Sequence, residues 1–196
     1  MIYIGIDPGP ELNGLVIVEK SAEPTFAPVL LGAAKLSYEG CREAIRTFIQ
    51  RLPPSSVRHV RLLIEFPCFY RTAVGGGPIL RTAEACGRFR EFWFRYSDAP
   101  VIEITRPDVC QALLGGTRGV TKAQIKGRVK ELWAAMHEVR SGDPVGTKKN
   151  PGPLYMMRET TDDHHWDALA LVTTYFRGCN IDFSVTGLTT PKEEPV

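Results

Sequence analysis

A mixed α/β sheet with helices on both faces is the fold the sequence predicts, on three observations. The apolar runs are all of strand length; they arrive as three strands in succession followed by helix, strand, helix, strand, helix; and two of the strands end in a carboxylate. Three short strands in a row read as a meander, and the later alternation with helices requires a layered sheet. A chain of 196 residues suits one well-buried domain and is short for two. The expected organisation is a single domain over residues 1–180 and a C-terminal tail over 181–196.

Each element has a local reason. Ile2, Ile4 and Ile6 alternate with Tyr3 and Gly5, with no polar residue before Asp7, as in a central strand covered on both sides. Pro8 and Gly9 then stop the ladder and turn the chain. Residues 11–14 connect to a second strand, Leu15 to Glu19, so Asp7 stands at the end of a hairpin strand. Taken alone, Asp7 is equally readable as a turn-capping acid. Val29 to Ala34 is a third strand. Gly40 to Leu52 places Ala44, Ile45, Phe48, Ile49 and Leu52 at helical spacing, and Pro53-Pro54 ends it.

Val60 to Glu65 repeats the pattern of the first strand, an apolar run that finishes in an acid. Phe66 to Pro78, with aromatics, Arg71 and three consecutive glycines, reads as a loop, and Ile79 to Tyr96 as a helix. Pro100 to Thr105 is the last strand and Pro107 to Leu114 a short helix. A flexible turn over Gly115 to Gly119 leads to a helix over Thr121 to His137 with Thr121 as N-cap. Glu138 to Thr161, rich in Gly and Pro, has no periodicity and reads as a long loop. Residues 162–176 form a final helix whose start is crowded with Asp162, Asp163, His164, His165 and Asp167.

Hydrophobic content of 43% and charged content of 23% exclude disordered and fibrous classes. No run approaches the roughly 18 apolar residues of a membrane span, and no basic leader precedes a signal core, so a cytoplasmic protein is expected. The five cysteines are scattered and never spaced as CxxC, which suits reduced, buried thiols. The net charge of +2 is unevenly spread, with a basic excess between Arg81 and Lys149 that fits a nucleic-acid partner.

The chemistry concentrates at the start of the final helix. His164 and Asp167 lie three apart and share a face. If Ala168, Leu171, Val172 and Tyr175 face the sheet, the first helical turn lies over the strand ends, and Asp7, Glu65, His164 and Asp167 converge. Three carboxylates and an imidazole repel and desolvate one another unless a cation joins them. An oxygen-rich set suits Mg²⁺ or Mn²⁺ rather than zinc. Two such ions about 3.5–4 Å apart activate a water and stabilise the leaving oxygen in phosphodiester hydrolysis.

Three motifs resemble the RuvC-type Holliday-junction resolvases of the ribonuclease H-like superfamily: Ile4-Gly5-Ile6-Asp7-Pro8-Gly9 with Gly14, Leu63-Ile64-Glu65, and His164 through Ala170. The order of elements extends the likeness over about residues 1 to 177. The resemblance implies a ribonuclease H-like fold, with a five-stranded mixed sheet in which three strands are antiparallel and the rest parallel. It implies Asp7, Glu65 and Asp167 as metal-binding carboxylates for two Mg²⁺ ions, with Mn²⁺ able to substitute. His164 stands where many members carry aspartate and some histidine; it reads as a metal ligand or a water-positioning group, and Asp163 is the alternative. His165 and Trp166 read as packing or surface residues.

The resemblance also implies DNA contacts. Lys122 lies in the segment that carries a functional lysine in the family, and Arg118 and Lys126 extend that basic surface towards phosphates. A second expected lysine is missing: Cys110 or Gln111 falls near its place. After Glu65, Phe69, Tyr70 and Arg71 are the readings for contact at an opened crossover, whereas Phe66 reads equally as a core residue. The implied activity is paired, symmetric nicking of four-way DNA junctions by a homodimer with C2 symmetry, without a nucleotide cofactor. The aromatic helix over 79–96, with Phe89, Phe92, Trp93 and Phe94, reads as a dimer surface or as a core helix. Rival readings are a hybrid or flap nuclease of the same superfamily and a non-cleaving branched-DNA binder. An actin-like ATP-binding domain is disfavoured by the lack of a second copy of the fold and of a phosphate loop.

Overall fold

The computed structural model describes residues 1–21, 23, 26–68, 76–139, 142–158 and 164–178. Five strands form one sheet in the order β3-β2-β1-β4-β5, with β1 Ile2–Asp7, β2 Asn13–Glu19, β3 Val29–Leu36, β4 Val60–Phe66 and β5 Val101–Thr105. The pairs β1–β2 and β2–β3 are antiparallel; β1–β4 and β4–β5 are parallel. This is the mixed sheet that the strand order predicts.

The alternation along β1 sorts the core into two layers. Ile2, Ile4 and Ile6 face one side, where Cys41, Ile45 and Ile49 of α1 (Tyr38–Gln50) and Cys86, Phe89, Phe92 and Trp93 of α3 (Gly76–Phe94) cover them. Tyr3 faces the other side, packed with residues of α4 (Arg106–Leu114), α5 (Lys122–Met136) and α6 (His164–Phe176). A central strand buried on both faces needs no polar residue until its tip, which is why β1 reads as an unbroken apolar run.

Several boundaries differ from expectation. A short helix, α2 (Pro54–Val57), follows α1, because prolines that end one helix also suit the first turn of the next. Helix α3 begins at Gly76, inside the stretch expected to be loop. Phe89, Phe92 and Trp93 are buried, so they are core residues of this chain and only Phe94 of that set is exposed. Phe66 likewise belongs to β4 and packs against the core. The stretch after α5 is not structureless: Gly146 bridges Pro151, a 3-10 turn forms over Tyr155–Met157, and Leu154 and Met157 are buried in the core beside β3.

Helix α6 is buried from His165 to Thr174 and lies on β1 and β2. Two glycines permit this approach. A Cβ at Gly5 would come within 2.6 Å of the Ala168 carbonyl oxygen, and one at Gly14 within 2.1 Å of the His164 carbonyl oxygen. Trp133 of α5 donates its indole N–H to Thr173 (3.0 Å), tying α5 to α6. Cys41, Cys86 and Cys110 are buried free thiols, as expected, and burial pushes Cys41 and Cys86 up to about 12. Among the described residues no helix is long and apolar enough to cross a membrane.

Candidate active site: an acidic cluster at the strand ends

Register determines the first two members of the cluster. Ile6 pairs with Ile64 in the parallel β1–β4 ladder, so Asp7 and Glu65 leave the sheet side by side at the C-terminal ends of adjacent strands. On the other side, Asp7 pairs with Gly14, directly under the first turn of α6. That turn delivers the other two members: His164 Nδ1 donates to Asp7 Oδ2 (2.6 Å), and Asp167 opens the helix on the same face. The structure thus brings Asp7, Glu65, His164 and Asp167 to the same end of the sheet, and Asp7 and Asp167 are only 9% and 4% exposed. His165 and Trp166 are buried packing residues. Asp163, the alternative to His164, lies outside the described residues.

The electrostatics are those of crowded acids. Burial pushes Glu65 up to about 8, and the neighbouring Asp7 charge adds to the shift. Asp7 is raised too, by burial and by Asp167, against the opposing hydrogen bond from His164. His164 is raised in turn by that hydrogen bond, so it favours the imidazolium. Two permanent cations answer the acids. Lys122 Nζ donates to Asp167 Oδ2 (2.6 Å) although its side chain is 54% exposed. Arg106 Nη1 donates to Asp167 Oδ1 (2.6 Å) and lies 3.8 Å from Glu65 Oε2.

Lys122 is placed by helix capping. Thr121 and Gln124 form a reciprocal capping box, so α5 starts with Lys122 pointing at α6. Arg106 is placed the same way: Thr105 accepts from the Asp108 N–H, and the Asp108 carboxylate accepts from the Thr105 N–H (2.9 Å). Thr105 pairs with Phe66 in the sheet, which brings Arg106 next to Glu65. Sequence reasoning missed Arg106. A signal existed, since a cation in a helix's first turn opposes the helix dipole and calls for an acidic partner nearby. It also stands one helical turn before Cys110, where a lysine was sought and not found.

The outer basic residues divide. Arg118 is exposed, and Lys126 and Lys130 lie over the Trp166 ring with their ammonium groups 5.1 and 5.5 Å from its centroid. Arg128 pairs with Glu131 (2.9 Å). Phe69, Tyr70 and Arg71 lie outside the described residues.

No group of three or more His, Cys, Asp or Glu side chains is arranged round a common point as metal ligands among the described residues. The donor set nevertheless fits a hard divalent cation. It offers three carboxylates whose burial and mutual repulsion a cation would relieve, and an oxygen-rich set of this kind suits Mg²⁺ or Mn²⁺ better than zinc.

No family model matches the chain, and no curated protein matches it. Solved structures do. The Thermus thermophilus RuvC structure is 19% identical, with a TM-score of 0.56 over 90% of this chain and 94% of that one. T. thermophilus RuvC in complex with Holliday junction substrate is 18% identical, with a TM-score of 0.54 over the same shares. Fowlpox virus resolvase in complex with substrate Holliday junction DNA is 10% identical, with a TM-score of 0.48 over 88% of this chain and 97% of that one. The likeness to the Thermus protein shows that the two share a fold, and the fold is the ribonuclease H-like one that the three motifs imply.

Proposed function

We propose that this chain is a metal-dependent, structure-selective DNA endonuclease that resolves four-way junctions by paired nicks, acting as a homodimer. The observation that carries the reading is the gathering of Asp7, Glu65 and Asp167, from two strand ends and one helix, in a nearly buried cluster beside the exposed Lys122. The shared fold with RuvC, solved in complex with Holliday junction substrate, supports a branched-DNA substrate.

Asp7, Glu65 and Asp167 would hold two Mg²⁺ ions, with Mn²⁺ an acceptable substitute; when bound, they supply charge stabilisation to the attacking and leaving oxygens. The chain's residues do the rest. Burial of the acids excludes bulk water from the reacting phosphate and strengthens each electrostatic contact. With Nδ1 of His164 engaged by Asp7, Nε2 is the nitrogen that holds or passes a proton. Lys122, with Arg118 and Lys126, contacts backbone phosphates and sets the register of the strand without reading sequence. Phe69, Tyr70 and Arg71 contact the opened crossover. Two symmetric nicks need two such sites, hence the C2 dimer.

A second reading, a branched-DNA binder that does not cut, is favoured by one observation: both Asp167 oxygens are engaged by cationic side chains. Cleavage of a labelled four-way junction, beside matched duplex, flap and RNA–DNA hybrid, with Mg²⁺ or EDTA, separates the readings. Paired, metal-dependent nicks on the junction that vanish in Asp7→Asn are expected. Binding without products establishes the second reading, and preference for flap or hybrid replaces the substrate while keeping the site.

A further inference from the structure

We propose that Arg106 is a resident counterion of the acidic cluster and competes with a divalent cation for Asp167. The inference rests on the reading of that cluster as a metal site. Both oxygens of Asp167 are taken at 2.6 Å, Oδ1 by Arg106 and Oδ2 by Lys122. The two cations are not equivalent. The Lys122 side chain is 54% exposed and, among the described residues, pairs with Asp167, whereas Arg106 is 22% exposed and reaches both Asp167 and Glu65. Arg106 is therefore the less exposed of the two and the one that bridges Asp167 and Glu65.

Its position is costly without those acids. It sits in the first turn of α4, where the helix dipole opposes a positive charge, and it is drawn away from water. The capping box of Thr105 and Asp108 nonetheless holds the backbone that aims it at Asp167. A hard divalent cation approaches a carboxylate oxygen to about 2.0–2.6 Å. Such an ion on Asp167 Oδ1 would meet the guanidinium on the same oxygen, and like charges at that separation repel strongly in a partly buried site. One positive group has to yield. Arg106 thus stabilises the cluster when it holds no metal and opposes the metal when it arrives, and by linkage each weakens the other's hold to the same degree.

The test reads metal binding directly. Mn²⁺ is titrated into the wild type, Arg106→Gln, Arg106→Lys and Asp167→Asn, with the free ion followed by electron paramagnetic resonance and melting temperatures taken with and without Mn²⁺. Arg106→Gln is expected to bind Mn²⁺ on the order of tenfold more tightly than the wild type. It is also expected to melt lower than the wild type without metal and to gain more from it, while Arg106→Lys stays near the wild type. In the unaltered protein, saturation with Mg²⁺ is expected to shift the Arg106 Nε–Hε resonance and speed its exchange with water, so the inference remains testable even if Arg106→Gln does not fold. Equal or weaker Mn²⁺ binding by Arg106→Gln, with binding lost in Asp167→Asn, overturns the competition and leaves the metal site standing. An Arg106 resonance unmoved at Mg²⁺ saturation does the same. Absence of Mn²⁺ binding from both the wild type and Arg106→Gln overturns the metal reading and this inference together.

Discussion

Glu65 shows how one residue can carry a cost that its neighbours must bear. Its carboxyl is pushed up to about 8 because burial and the Asp7 charge both oppose ionisation. A group that binds its proton more tightly when folded stabilises the fold at low pH, below its unfolded value, and loses that contribution as pH rises through its folded value. Asp7 and His164 are raised as well, so all three act in the same direction. Stability of the metal-free protein is therefore expected to fall between about pH 5 and 8, by on the order of a few kcal/mol at most. Urea denaturation across that range measures it, and Glu65→Gln should flatten the slope. A profile that rises over this range in the wild type contradicts the electrostatics described for the cluster. Addition of Mg²⁺ should remove most of the loss, because a cation favours the ionised acids.

At the scale of elements, the site depends on how closely α6 lies on the sheet. Gly14 pairs with Asp7 and sits under the His164 carbonyl, so one residue sets both the height of the helix and the distance between two site residues. In Gly14→Ala the new Cβ meets backbone, which cannot rotate aside; a loss of about 3 kcal/mol is expected, in the range of overpacked cores. Cleavage should fall far more than far-ultraviolet dichroism, since the helix survives while its first turn shifts. The caps make a smaller and separable contribution. Thr105→Ala and Thr121→Ala should each cost about 1 kcal/mol in chemical denaturation. Thr105→Ala should also loosen Arg106, and Thr121→Ala should loosen Lys122. Beyond α5, Leu154 is fully buried beside β3, and Leu154→Ala is expected to cost about 2–5 kcal/mol. That result would make the long connection part of the core rather than an appendage. Expecting a loop there was reasonable, since its few apolar residues, set among Gly and Pro, have no period that a sequence can display.

For the whole molecule, a net charge of +2 conceals a division into a buried acidic centre and an exposed basic surround. On the proposed reading, long-range attraction for DNA would come from the surround, because the acids are balanced locally by Arg106, Lys122 and His164. Junction binding should accordingly weaken as salt rises, and each phosphate contact removed should lower the slope of log affinity against log salt by about 0.9. Arg118→Ala and Lys126→Ala test this by fluorescence anisotropy at several salt concentrations. A slope unchanged in both variants places the DNA elsewhere on the molecule.

The sequence by itself determined the sheet and the acids at the ends of two of its strands. The apolar runs of β1 and β4, and the strand-ending effect of Pro8, are properties of neighbouring residues, so Asp7 and Glu65 could be placed at strand ends without knowing what lay beside them. The spacing of His164 and Asp167 on α6 was local in the same sense. The tertiary structure alone decided which cations answer those acids. Arg106 and Asp167 are 61 residues apart, and their meeting depends on where α4 and α6 come to rest on one sheet. It alone also assigned Phe89, Phe92 and Trp93 to the core, and brought Leu154 and Met157 into it. The physical reason is one of range: backbone geometry and periodicity act over a few residues, whereas ion pairing and packing act between elements whose separation along the chain carries no trace of their separation in space.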